Sequence, residues 1–208
     1  MSNYVWYASY GSNLLEERFL CYIQGGKPAG AIKTYKGCVD KSLPTASEGL
    51  EIPYSLYFAK HAGIWNGGGV AFIHHETTTR ERTLARMYRI TKAQFYDVVM
   101  QENRLPDRPP IELDQVKHLG SVALQNAGWY DLLLYLGEEM DEPIFTFTAK
   151  ESFRPFVAPH ESYLGTIIRG IRQTHGLTDD AMVDYLAQKE GIRNAIAPDA
   201  LQQLICTP

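Results

Sequence analysis

Cysteine is scarce in this chain of 208 residues, and the three present, Cys21, Cys38 and Cys206, are odd in number, widely spaced and without any CxxC pattern. That argues against a disulfide framework and a zinc site, and for a reducing compartment. Positive charge is also short, since 20 Lys and Arg stand against 24 Asp and Glu for a formal charge of −4, and the basic residues are scattered. The chain offers no basic field to nucleic acid or anionic lipid, so the expected partner is a small molecule or a protein, with no nucleic acid and no membrane. Long apolar runs are missing as well. Nothing approaches the roughly 20 residues of a spanning helix, and the opening MSNYVWYASYGSN has neither the basic segment nor the apolar stretch of a secretory leader. The expected localisation is cytoplasmic. No internal repeat, low-complexity tract or interdomain linker interrupts the chain.

What is present is a composition 45% hydrophobic, enough over this length for one substantial core. Tyr4 to Tyr10 is aromatic and β-branched, which predicts a strand. Gly11-Ser12-Asn13 breaks it before a helical pattern from Leu14 to Ile23, with Asn13 and Glu16 spaced as a capping box. Leu43 to Glu51 has no period and reads as loop. Strands are expected at Tyr54 to Phe58, at Val70 to Ile73 after a glycine run, and at Leu84 to Ile90. Lys92 to Glu102 has the clearest helical period, ended by Leu105-Pro106. Three further strands are expected at His118 to Gln125, Trp129 to Leu136 and Ile144 to Phe147, as an antiparallel meander around an acidic loop at Glu138 to Glu142. Helices follow from Pro159 to His175, from Asp179 to Lys189 and from Pro198 to Ile205. Strands that mostly succeed one another without long helices between them predict an α+β fold with an antiparallel or mixed sheet.

Two places stand out chemically. The strand-turn-helix at Tyr10 to Leu14 would present unpaired backbone N–H groups to an anion. Rossmann and Walker spacings are absent, so a carboxylate suits it better than a phosphate; an ordinary capped turn is the plainer alternative. Glu102 falls seven residues after Phe95, four after Val98 and three after Val99, which aims a carboxylate along an apolar helix face. Burial there would raise its pKa toward the range of a general acid-base; pairing with Arg104 or fraying into solvent is the alternative. Tyr163 has its ring on an apolar face and a hydroxyl that needs a partner. His74-His75-Glu76 lacks HExxH spacing and reads as a solvated strand end, and no metal site is expected. GxSxG is absent, so Ser12 is not placed in a nucleophile elbow.

Several of these segments together resemble the gamma-glutamylcyclotransferase-like family. Tyr7 to Leu14 is similar to its YGSNL signature, Trp65-Asn66-Gly67-Gly68 to a Trp-x-Gly-Gly turn, and Ala85 to Ile90 with Phe95, Val98 and Gln101-Glu102 to the strand and helix that end in its catalytic Glu. Pro159, Tyr163, Ile167, Gly170 and His175-Gly176-Leu177 resemble its C-terminal helix. The resemblance implies a small mixed or antiparallel β-barrel surrounded by helices over residues 1–177, with 178–208 as a helical extension packed on the same domain. It also implies an enzyme of the acyltransferase or lyase kind, without metal or cofactor, that cyclises a gamma-glutamyl amine or peptide to 5-oxoproline. Glu102 would be the general base and acid. Tyr10, Gly11, Ser12, Asn13, Leu14 and Tyr163 would bind substrate, the turn N–H groups holding its α-carboxylate. Asn103 stands where the family commonly has Gly, and Ala85 where a strand Gly is usual. A non-catalytic module that binds an amino-acid metabolite and a related amide hydrolase are the alternative functions; a Glu102 facing the turn favours catalysis over binding.

Overall fold

The aromatic opening forms strand β1, Tyr4–Ser9, in a computed structural model that describes residues 2–28 and 34–206. A 3₁₀ turn at Ser12–Leu14 leads to helix α1, Glu16–Gln24, whose N-cap is Leu15. The expected capping box of Asn13 with Glu16 is not formed, because the Asn13 amide is committed elsewhere, to a carboxylate. Strands β2 (Ala46–Ile52) and β3 (Tyr54–Ala59) follow. The loop expected at Leu43 to Glu51 is therefore largely strand: β2 lies at the edge of its sheet and is mostly solvent-facing, so no apolar period marks it. Strands β4 (Val70–Thr77) and β5 (Thr83–Thr91) precede helix α2, Lys92–Asn103. A complete capping box between Thr91 and Gln94 starts α2.

The segment from His118 departs from expectation. Helix α3 occupies Leu113–Leu119 and only Ser121–Ala123 is strand, β6; Leu113 and Val116 bury a helical face too short to announce itself. Strands β7 (Leu132–Glu139) and β8 (Glu142–Thr148) complete an antiparallel meander. The acidic segment between them is no loop but a two-residue hairpin turn, with Met140 and Asp141 both at positive φ, as tight primed turns require. Helices α4 (Glu161–His175), α5 (Asp179–Ala187) and α6 (Pro198–Cys206) close the chain close to where their apolar spacing puts them. Thr207 and Pro208 of the extension lie outside the described residues.

The strands make a six-stranded mixed sheet in the order β2-β5-β1-β8-β7-β6 and a separate β3-β4 ladder. The α+β architecture is as expected, with β1 and β8 as the parallel pair, but the two sheets are not closed into a barrel. Side-chain hydroxyls bridge between them instead. Thr148 Oγ1 of β8 accepts from Ile73 N at 3.1 Å and donates to Ile73 O at 2.6 Å, on β4. Thr83 of β5 donates to the Tyr54 carbonyl of β3. One core of buried apolar residues fills the space between the small sheet, α4 and the last two helices, including Phe58, Phe72, Ile167, Ile171, Leu186 and Ile205. A second gathers Phe19, Tyr88, Phe95, Val98 and Phe145 between the large sheet, α1 and α2. The turn after β1 and the end of α2 both border a cavity between these cores.

Candidate active site

The cavity has a volume of about 450 Å³ and is walled by Tyr10, Gly11, Ser12 and Asn13 after β1, by Glu102 at the end of α2, and by Tyr163 of α4. The structure thus brings together six of the seven residues expected to act. Leu14 is the exception: it is fully buried and does not line the cavity. It serves instead as a foundation. Helix α4 crosses the turn at Gly170, where a Cβ would come within 2.5 Å of both Leu14 Cβ and Leu15 N, so only glycine permits this approach.

The turn is held through its carbonyls. Tyr88 Oη lies 2.8 Å from Asn13 O and 3.3 Å from Leu14 O, and Arg86 also reaches Leu14 O. Asn13, 3% exposed, donates from Nδ2 to Glu102 Oε1 at 3.1 Å. A carboxylate only accepts, so this bond fixes which way the amide faces. Asn13 Oδ1 is then left buried without a hydrogen-bond partner among the described residues.

Glu102 is half-buried, one turn beyond the fully buried Val98 and Val99. The helix face thus carries it to the cavity, as its spacing suggests. Asn103 plugs the neighbouring wall, its amide bonded to the carbonyls of Val99 and Tyr130 and its oxygen accepting from Tyr130 N. A residue that would add no side chain in the family here ties the Trp129 loop to the end of α2.

Four phenols ring the carboxylate. Burial, followed by the nearby Glu102 charge, pushes Tyr7 and Tyr22 above their ordinary pKa. Burial raises Tyr130 as well, with Tyr163 and Glu102 adding to it. Tyr163 is pushed up to about 12 by burial, partly opposed by the hydrogen bond from Ala71 and reinforced by Glu102. All four remain neutral hydroxyls near pH 7. Tyr163 Oη accepts from Ala71 N at 3.1 Å, which leaves its own proton to donate. Tyr10 Oη is committed to Phe147 O at 2.7 Å.

Sequence reasoning missed Arg18. It is 5% exposed and borders the cavity, with Nε donating to Ser12 Oγ and Nη2 to Tyr35 Oη, each at 2.8 Å. Its guanidinium carbon lies 4.7 Å from the centre of the Trp65 ring, and Trp65 in turn packs on Tyr163. The signal was readable: Arg18, Phe19, Tyr22 and Ile23 form the buried stripe of α1, and a cation inside such a stripe needs a reason. Trp65 reaches the wall on a 3₁₀ turn, Gly63–Trp65. The next glycines are forced by contact, since a Cβ on Gly68 would fall 2.3 Å from His160 N.

His74 accepts or donates at Ser152 and stacks near Tyr57, while His75 and Glu76 are exposed. Among the described residues no group of three or more His, Cys, Asp or Glu could hold a metal ion, and no helix is long and apolar enough to cross a membrane.

Among solved structures, an uncharacterized protein from Homo sapiens superposes with a TM-score of 0.53 at 15% identity, covering 98% of this chain and 99% of that one. A gamma-glutamyl cyclotransferase superposes with a TM-score of 0.50 at 14% identity, over 97% of this chain and 98% of its own. The chain has the gamma-glutamyl cyclotransferase fold. At these identities it is the fold that is shared. No protein-family model matches the chain. A curated relative, histone deacetylase 5 of Arabidopsis thaliana, is 38% identical over 199 residues, which cover 88% of this chain. The match is 30% of that protein's length, so this chain corresponds to a part of it.

Proposed function

We propose that the chain is a gamma-glutamylcyclotransferase, converting a gamma-glutamyl amine or peptide into 5-oxoproline and the free amine. The observation that carries this reading is the Glu102 carboxylate held 3.1 Å from the Asn13 amide across the cavity. That contact puts a proton acceptor directly beside the turn proposed to bind the substrate's amino-acid end.

The chemistry needs few parts. With the α-carboxylate at the turn Gly11-Ser12-Asn13, the α-ammonium lies toward Glu102, which takes one of its protons. The freed nitrogen attacks the γ-carbonyl carbon and closes a five-membered ring. Collapse of the tetrahedral intermediate breaks the bond to the leaving amine, which receives the proton from Glu102, and the regenerated carboxylate then takes the surplus proton from the ring nitrogen and passes it to the departing amine. Attack is intramolecular, so orientation supplies much of the acceleration. The neutral Tyr163 hydroxyl is a donor for the developing oxyanion or for the Glu102 carboxylate.

The test is to incubate the protein with gamma-glutamyl amino acids, gamma-glutamyl amines and glutathione and follow products by mass spectrometry. 5-Oxoproline should form with wild type and fall by about 100-fold or more with Glu102→Gln, the usual scale for loss of a general acid-base. Release of glutamate in its place would make the protein an amide hydrolase. Binding without turnover of any substrate would make it a binding module.

A further inference from the structure

The cavity is graded from its inner end to its mouth. Tyr7 and Tyr10 at the inner end are buried. Glu102, half-buried, stands between them and an outer wall that includes Ile64, Arg104 and Trp129, all exposed. At about 450 Å³ the cavity has the volume of a site for a drug-sized ligand, more than a gamma-glutamyl group alone would fill. Six large hydrophobic side chains are exposed among the described residues, and two of them, Ile64 at 49% and Trp129 at 38%, belong to this outer wall. Single exposed apolar side chains are ordinary on a surface; two on the rim of one cavity mark a contact for a ligand.

Trp129 is anchored from both sides. The backbone of the next residue, Tyr130, is taken by the Asn103 amide, its N–H donating to Oδ1 at 3.1 Å and its carbonyl accepting from Nδ2 at 2.9 Å, and its ring packs on Phe72 and Phe147. Gly128 passes so close to the end of α2 that a Cβ there would lie 3.3 Å from Asn103 O. The charges at this end are of one sign. Among the described residues Glu102 is the sole carboxylate lining the cavity, whereas Arg104 and His61 line its outer part, and the Lys60 ammonium lies 6.0 Å from the centre of the Trp129 ring.

The amine that Glu102 protonates must lie within hydrogen-bond reach of that carboxylate. Its substituent cannot run inward, where the gamma-glutamyl group is bound, so it runs outward past Arg104 and Trp129. We infer that the outer part of the cavity is a leaving-group subsite for an uncharged, bulky apolar amine, an aromatic one above all, with Trp129 and Ile64 as its specificity-determining residues. The inference rests on the cyclotransferase reading, because the proton returned by Glu102 is what places the leaving group. An aromatic substituent gains offset stacking on the indole beyond the area it buries. A cationic one would meet Arg104 and Lys60 as like charges, and Lys60 already stands where a cation would approach the ring.

The experiment compares the gamma-glutamyl derivatives of phenethylamine, ethylamine and 1,4-diaminobutane, by kcat/KM for 5-oxoproline formation and by calorimetric binding. Wild type, Trp129→Ala, Trp129→Phe and Ile64→Ala are used, with thermal unfolding to check folding. In wild type the phenethylamine substrate should exceed the ethylamine one by about 10-fold or more in kcat/KM, the scale for burying an aromatic side chain, and the diaminobutane substrate should be no better than the ethylamine one. The ring is remote from the reacting atoms, so the advantage should lie in KM with kcat little changed. Trp129→Ala should bring the ratio of phenethylamine to ethylamine substrate close to unity, Ile64→Ala should lower it in part, and Trp129→Phe should keep most of it. If Trp129→Ala does not fold, Ile64→Ala decides, since it too must lower the ratio. A ratio near unity in wild type, a ratio that survives Trp129→Ala in a folded protein, preference for the cationic amine, or failure of all three to bind overturns the subsite. 5-Oxoproline formed from all three substrates with one kcat/KM would do so while leaving the cyclotransferase reading intact. Binding that favours the phenethylamine derivative and depends on Trp129, without any 5-oxoproline, would keep the subsite and remove the cyclotransferase reading.

Discussion

At the scale of single residues, the cavity wall mixes positions that act through their side chains with positions that act through what they hold. Tyr163 belongs to both groups. Its hydroxyl is the acceptor for the buried Ala71 N–H of β4, while Tyr130 donates to the carbonyl of the same residue. Removing the Tyr163 oxygen leaves a buried N–H unsatisfied, which costs about 1–3 kcal/mol. Tyr163→Phe should therefore lower the denaturation midpoint and the rate of 5-oxoproline formation together, read by urea unfolding and by turnover. An unchanged midpoint would show that water replaces the hydroxyl. Cys38 is the opposite case: burial first, with Asp97 adding to it, pushes its thiol up to about 12. It should stay protonated and inert, part of the packing.

Between elements, the decisive contact is the crossing of α4 over the turn that follows β1. Gly170 is on the buried face of α4, where a larger residue would ordinarily strengthen the helix. Here the backbone of Leu14 and Leu15 occupies the space. Gly170→Ala should cost more than the ~1 kcal/mol that alanine usually gains over glycine in a helix, because α4 or the turn must move, with strain of about 1–3 kcal/mol. The expected result is a lower melting midpoint and a weakened kcat/KM, since the same displacement shifts Ser12 and Asn13. A more stable variant with full activity would refute that coupling. The helix itself was readable from Tyr163, Leu164, Ile167, Ile168 and Ile171, because apolar spacing is local. Strand β2 was not, because its order comes from pairing with β5 from Ala46 to Ile52, and an exposed edge strand needs no apolar face.

Over the whole molecule, the large sheet is fastened across its width by Arg89 of β5 and Glu142 of β8. The guanidinium donates to both carboxylate oxygens at 2.6 Å, and Ser2 donates to one of them. The hydrogen bonds from Arg89 hold the Glu142 carboxyl below its ordinary pKa. A depressed folded value means that the contribution is complete above the unfolded glutamate value of about 4.3 and is lost as pH falls through the lower folded one. Glu142→Gln should thus destabilise by about 1–2 kcal/mol at pH 7, and the gap to wild type should close in acid. Denaturation at a series of pH values checks this; a gap that persists in acid would assign the loss to packing. The acidic stretch from Glu138 was expected to be solvated, yet Glu142 is only 8% exposed. Its sequence neighbourhood is polar, and only the sheet order brings Arg89 to it.

The sequence by itself determined the order of most strands and helices and the α+β class, because each follows from side-chain period over a dozen residues or fewer; it put Glu102 on an apolar helix face but left open whether the carboxylate turned inward or to solvent. The resemblance of Tyr10 to Leu14 to YGSNL, and not the turn by itself, marked one wall of the cavity. Tertiary structure alone decided that Asn13 faces Glu102 from 89 positions away, that Asn13 does not cap a helix, that Leu14 underlies the cavity without lining it, and that the two sheets stay separate. It also turned Arg18 from one more charged residue of α1 into the buried cation of the cavity. These outcomes depend on which partners compete for one side chain once distant segments meet, and a hydrogen-bonding group takes the strongest partner within reach.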